Sequence, residues 1–110
     1  MSPDFEKIRY ENKVVVLTNR MVYSAANYFS AMRRVYGITL IGDQTGGGGG
    51  APAGSELPNG FHVNYPSSIC LLPDGYNIEG GIPPDIKIDM REEDMLKDLD
   101  TIIETAILQF

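Results

Sequence analysis

Between Lys13 and Lys87 the sequence has no lysine; histidine occurs once, at His62, cysteine once, at Cys70, and tryptophan not at all. A single cysteine excludes an internal disulfide and any zinc site built from several thiolates. Nine Lys and Arg stand against fifteen Asp and Glu, for a formal charge of -6. That balance excludes the basic surface that neutralises phosphates in nucleic-acid binding. No apolar run approaches the ~20 residues of a membrane helix, so these residues are not expected to insert into a bilayer. Nothing at the N-terminus has the basic-then-apolar layout of a secretory leader. Because Met1, Ser2 and Pro3 lead at once into domain-like sequence, that says nothing of the natural leader.

What is present is a 110-residue chain, 43% hydrophobic and 22% charged. This is enough apolar surface for a packed, soluble core, at a length suited to one domain or a piece of one. Lys13 to Leu17 is an apolar run holding three valines and ended by Thr18, Asn19 and Arg20, which predicts a central strand of a parallel sheet. From Ser24 onward Ala25, Phe29, Met32 and Tyr36 recur every three or four residues, with Asn27, Ser30, Arg33 and Arg34 between them. The spacing predicts an amphipathic helix, with Ser24 at its N-cap and Gly37 at its C′ position. Ile38 to Ile41 is a second apolar run, so strand, helix and strand form a right-handed βαβ unit and the fold class is α/β.

Gly42 to Asn59 is rich in Gly and Pro and predicts a long, mobile surface loop. Phe61 to Tyr65 alternates, Ser68 to Leu72 is β-prone, and Pro73, Asp74 and Gly75 supply turn chemistry, which predicts an antiparallel β-hairpin in this stretch. Ile86 to Ile88 adds one more strand. From about Asp94, the residues Leu96, Leu99, Ile102, Ile103, Ala106 and Ile107 fall at helical spacing and predict a C-terminal helix docked by one face.

The run from Gly46 to Ala51 satisfies G-x-G-x-x-A after a strand, a pattern associated with dinucleotides. Here Pro52, Gly54 and Pro58 follow instead of a helix, and no Lys-Ser or Lys-Thr closes the run, so neither nucleotide site is expected. No cofactor or metal is expected either. Ser24 is the better candidate. A hydroxyl opening a helix after a parallel strand lies at the carboxyl end of the sheet, where α/β sites form. The free amides of the first helical turn stabilise an oxyanion, provided a base takes the hydroxyl proton. On these residues alone, simple N-capping by Ser24 remains an open alternative.

Four landmarks in order carry a family resemblance between Val14 and Ile107. They are Leu17 to Met32, reading LTNRMVYSAANYFSAM; Tyr36 to Gly47; Glu79 to Ile86, reading EGGIPPDI; and Lys97 to Ala106. Together they resemble the C-terminal portion of the catalytic domain in the C-terminal processing (tail-specific) serine peptidases. The resemblance implies a crotonase-like (Clp protease-like) partial domain over residues 1–110, with Ser24 as nucleophile and the Ala25 amide as half of an oxyanion hole. Tail-specific members carry a lysine base just after the Thr-x-Gly stretch, where this chain has Gly48. A tricorn-like branch uses instead a histidine from earlier in the chain and a supporting glutamate shortly before the Pro-Asp signature, a position matched by Glu79.

The family domain is longer than 110 residues, and its second oxyanion-hole strand lies upstream. The resemblance therefore implies a fragment, inactive alone, of an endopeptidase acting on peptide or protein substrates, with the bacterial cell envelope or periplasm as its setting; an oligomer is compatible with it. The rival expectation is a non-catalytic peptide-binding module on the same fold, in which the glycine loop or a hairpin edge pairs with an extended peptide. His62 reads as a structural strand residue, Asp85 as a turn or capping group, and Cys70 as packing.

Overall fold

The computed structural model describes residues 10–110. In chain order its elements are β1 (Val15–Thr18), α1 (Ala25–Ala31), α2 (Arg33–Tyr36), β2 (Thr39–Gly42), β3 (Pro52–Glu56), β4 (His62–Pro66), β5 (Ile86–Lys87), α3 (Glu92–Met95) and α4 (Thr101–Ile107). Strands β1 and β2 run parallel, from Val15 opposite Thr39 to Thr18 opposite Gly42, and β5 pairs in parallel on the other side of β2. The βαβ unit and the α/β class are thus as expected. The centre of the sheet is β2, however, and β1 is an edge among the described strands.

Successive residues in a strand point to opposite faces, and both faces here are covered. Val16 and Leu40 pack with Ala31, Leu72, Ile78 and Ile82, while Val15 and Ile41 pack with Ile86, Ile88, Ile102 and Ala106. This is why the strands read as continuous apolar runs rather than as alternation. Leu40 and Ile41 are fully buried, each contributing about 1.5–3 kcal/mol of hydrophobic stabilisation. Asp85 clamps the start of β2. One carboxylate oxygen accepts the Leu40 amide at 2.8 Å and the other pairs with Arg33.

The helical period after Ser24 is confirmed, but the buried face is not the one expected. Asn27, Ser30 and Ala31 are buried, whereas Phe29 is 65% and Tyr36 70% exposed. Polar groups are tolerated inside because they are satisfied. Ser30 donates to the Ala26 carbonyl at 2.9 Å, and Asn27 is bonded on all sides, as described below. Gly37, at φ 68°, ends α2 in the left-handed conformation, as its position predicts.

The expected hairpin forms with a different partner. Strand β4 pairs with β3, from Pro52 opposite Pro66 to Glu56 opposite His62, so part of the supposed loop is a strand. The Leu57-to-Gly60 segment makes the turn: Gly60 has φ 83° and its amide bonds the Leu57 carbonyl at 2.9 Å. The Pro73-Asp74-Gly75 turn forms as expected between Leu72 and Tyr76, with Leu72 N to Tyr76 O at 2.9 Å and an antiparallel bridge from Leu71 to Asn77.

The C-terminal helix is also divided. Asp98 sits at φ 56°, a conformation that interrupts a helix, and Asp100 opens α4 by accepting from the Ile102 and Ile103 amides at 2.8 and 3.1 Å. Asp100→Ala is expected to cost about 1 kcal/mol, the usual worth of an N-cap, as a fall in melting temperature with the rest of the fold retained. The Thr101 hydroxyl and the Arg91 guanidinium hold the Asp94 carboxyl below the usual carboxylate range. A depressed folded-state pKa gives stability that is present above the unfolded value and lost as pH falls through the folded one. Melting temperature should therefore fall below about pH 4, and Asp94→Asn should remove part of that acid dependence.

Candidate active site

Chain leaving β1 reaches α1 through Asn19 to Tyr23, and Ser24 stands at the N-cap position with φ 57° and ψ -118°. This is the geometry of the first central residue of a type II′ turn, normally glycine, and for serine such backbone strain costs about 1–3 kcal/mol. It is held by its surroundings: the Ser24 amide donates to the Gly47 carbonyl at 3.0 Å, and its carbonyl accepts from Tyr28 at 3.0 Å. The hydroxyl makes no capping bond. Ser24 thus occupies the N-cap position without doing the N-cap's work. Among the described residues, no backbone carbonyl accepts the Ala25 amide.

The glycine run beside it is a packed wall rather than a mobile loop. Gly47 is buried at φ 87°, and a Cβ there would stand 2.2 Å from the Glu79 carbonyl oxygen. Gly48 is at φ 74°, with the Tyr23 ring only 2.7 Å from where its Cβ would be. A side chain at position 48 would be strained by the left-handed backbone and would have to displace the Tyr23 ring.

These segments enclose an open cleft of about 320 Å³, lined by Tyr23, Ser24, Gly48, Gly49, Gly50, Pro52, Asn64, Tyr65, Pro66 and Glu79. The structure therefore brings Ser24 and Glu79 to one cleft from positions far apart in sequence. Glu79 is half-buried; its Oε1 accepts from the Cys70 amide at 3.0 Å and its carbonyl from Gly48 N at 3.1 Å. Ala25 does not line the cleft, although its amide directly follows the serine. His62 lies at the far end of the hairpin, exposed and outside the cleft lining. The hairpin's contribution through Pro52, Asn64, Tyr65 and Pro66 was missed in the sequence; the Leu57-Pro-Asn-Gly60 turn was the signal that would have found it.

Residues 2–88 match the model of peptidase family S41. The chain belongs to that family. Its members are serine peptidases, so the fold described above is that of a serine peptidase-type domain. Among solved structures, a Parabacteroides merdae protein described as a peptidase is 45% identical with a TM-score of 0.82, over 90% of this chain and 32% of that one. The tricorn protease is 29% identical with a TM-score of 0.74, over 86% of this chain and 10% of that one. CPAF complexed with lactacystin shares the fold at 23% identity and a TM-score of 0.66, over 76% and 17% of the two chains. No curated protein sequence matches. The S41 chain described here thus spans about a third of the Parabacteroides merdae protein. Among its described residues, neither lysine nor histidine lines the cleft that holds Ser24.

Proposed function

We propose that this chain is the nucleophile-bearing part of a crotonase-like serine endopeptidase domain, with the general base supplied by upstream sequence. The observation that carries the reading is Ser24, strained at φ 57°, with no capping bond, in the same cleft as a half-buried carboxylate. Ser24 Oγ attacks the substrate carbonyl carbon and its proton passes to a histidine from the upstream region. The Ala25 amide donates to the resulting oxyanion. Glu79 stabilises the imidazolium, which then protonates the leaving amine; water releases the acyl group from Ser24 by the reverse proton path.

A radius of gyration of 18.4 Å, against about 13 Å for a compact domain of this length, supports reading the chain as part of a larger domain. The 110-residue chain alone is accordingly inactive. Peptide hydrolysis assays separate the cases: turnover by the complete protein and none by this segment is the expected pair, and turnover by the segment alone overturns the incomplete-site reading. Should the complete protein be inert and its upstream region lack a histidine, it is a peptide-binding module rather than an enzyme. In the active protein, Glu79→Gln keeps an oxygen for the Cys70 amide but loses the charge. We expect kcat to fall about 100-fold with KM little changed; an unaltered kcat removes Glu79 from the mechanism.

A further inference from the structure

Three segments that share no regular secondary structure meet at the cleft: the start of α1, the glycine run, and residues 78–82. Their registry rests on few backbone bonds, among them Ser24 N to Gly47 O at 3.0 Å, Gly48 N to Glu79 O at 3.1 Å and Thr45 N to Ile82 O at 3.1 Å. One side chain ties all three together. Asn27 is completely buried. Its Nδ2 donates to the Gly48 carbonyl at 2.6 Å and to the Ile78 carbonyl at 2.9 Å, and its Oδ1 accepts from the Thr45 hydroxyl at 2.5 Å. Thr45 Oγ1 in turn accepts from the Ile82 amide at 2.6 Å.

We infer that Asn27, with Thr45, is a positioning residue that sets Ser24 and Glu79 in register across the cleft. This rests on the nucleophile reading above. Each bond ends next to a working group: Asn27 is one helical turn beyond Ser24, Gly48 follows the acceptor of the Ser24 amide, and Ile78 precedes Glu79. A buried amide with both donors and its oxygen engaged is rigid, and rigidity matters here because a shift of about 1 Å at a reacting group costs about 100-fold in rate. Ser30 offers the contrast. It is also buried on α1, but it bonds only within its own helix, so it adds stability without linking segments.

The test uses the complete peptidase. Asn27→Asp keeps the shape but replaces the amide nitrogen by an oxygen, so both donors are lost and an acceptor faces the Gly48 and Ile78 carbonyls. Thr45→Val removes the bonds to Asn27 Oδ1 and from the Ile82 amide and leaves both Asn27 donors. We expect kcat to drop about 100-fold for Asn27→Asp and about 10-fold for Thr45→Val, with KM within about threefold, and Ser24 labelling by a fluorophosphonate slowed in parallel. Ser30→Ala lowers melting temperature but leaves kcat unchanged. The inference is overturned if Thr45→Val, or a folded Asn27→Asp, melts earlier yet turns over at the wild-type rate. Ser24→Ala separates the two levels: if it abolishes turnover while the network variants do not, only the positioning role falls, and if it leaves turnover intact the nucleophile reading falls with it.

Discussion

Ser24→Ala is expected to lower kcat of the complete peptidase by about 10⁴- to 10⁶-fold, the loss seen when a triad nucleophile is removed. KM should stay close to the parent value, because the cleft walls are unchanged. The backbone at this residue adds a second expectation of opposite sign. Serine at φ 57° and ψ -118° is strained, and glycine is not. Ser24→Gly should therefore raise stability by about 1 kcal/mol while abolishing turnover. An N-cap serine behaves differently, since replacing a working cap by glycine costs a few tenths of a kcal/mol. A melting curve of Ser24→Gly beside an activity assay tells a strained nucleophile from a simple cap: higher melting with no turnover is the predicted result, and lower melting with retained turnover contradicts it.

Gly47→Ala should be strongly damaging, because it combines a strained backbone with a backbone clash. The residue is buried at φ 87°, where an L side chain costs about 1–2 kcal/mol. Its Cβ would also stand 2.2 Å from the Glu79 carbonyl and 3.0 Å from the Gly81 amide, forcing apart the glycine run and the Glu79 segment for about another 1–3 kcal/mol. Because Gly47 also accepts the Ser24 amide, turnover should fall with stability. Gly80 provides the control, since its Cβ would meet nothing within 4 Å and its φ is not positive. Gly80→Ala should be neutral or slightly stabilising. Equal melting temperatures for the two variants would mean that the glycine run is loose after all.

The sheet was legible because parallel strands covered on both faces leave continuous apolar runs, and Val15 to Val16 and Leu40 to Ile41 are such runs. Ser24 and Glu79 were singled out through ordered motifs, and the fold explains why both line one cleft: one ends the connection after β1, the other follows the turn at Pro73 to Gly75. The orientation of α1 was not legible. Periodicity locates a stripe but assumes that the apolar stripe is the buried one, whereas here Asn27 and Ser30 go inside with their bonds satisfied and Phe29 stays outside. The glycine run was misread for a related reason. Composition does not distinguish a flexible segment from one pressed against other backbone, and only the packing of Gly47 on Glu79 and of Gly48 under Tyr23 decides it. The break at Asp98 was hidden because Leu96 and Leu99 continue the helical spacing while pointing into solvent.

Mapping a fluorophosphonate adduct by peptide mass spectrometry on the complete, active protein tests the central claim most directly. The account predicts a single adduct on Ser24, lost in Ser24→Ala, and no adduct on the 110-residue chain alone. An active protein labelled at another serine, with Ser24 unmodified, would contradict it.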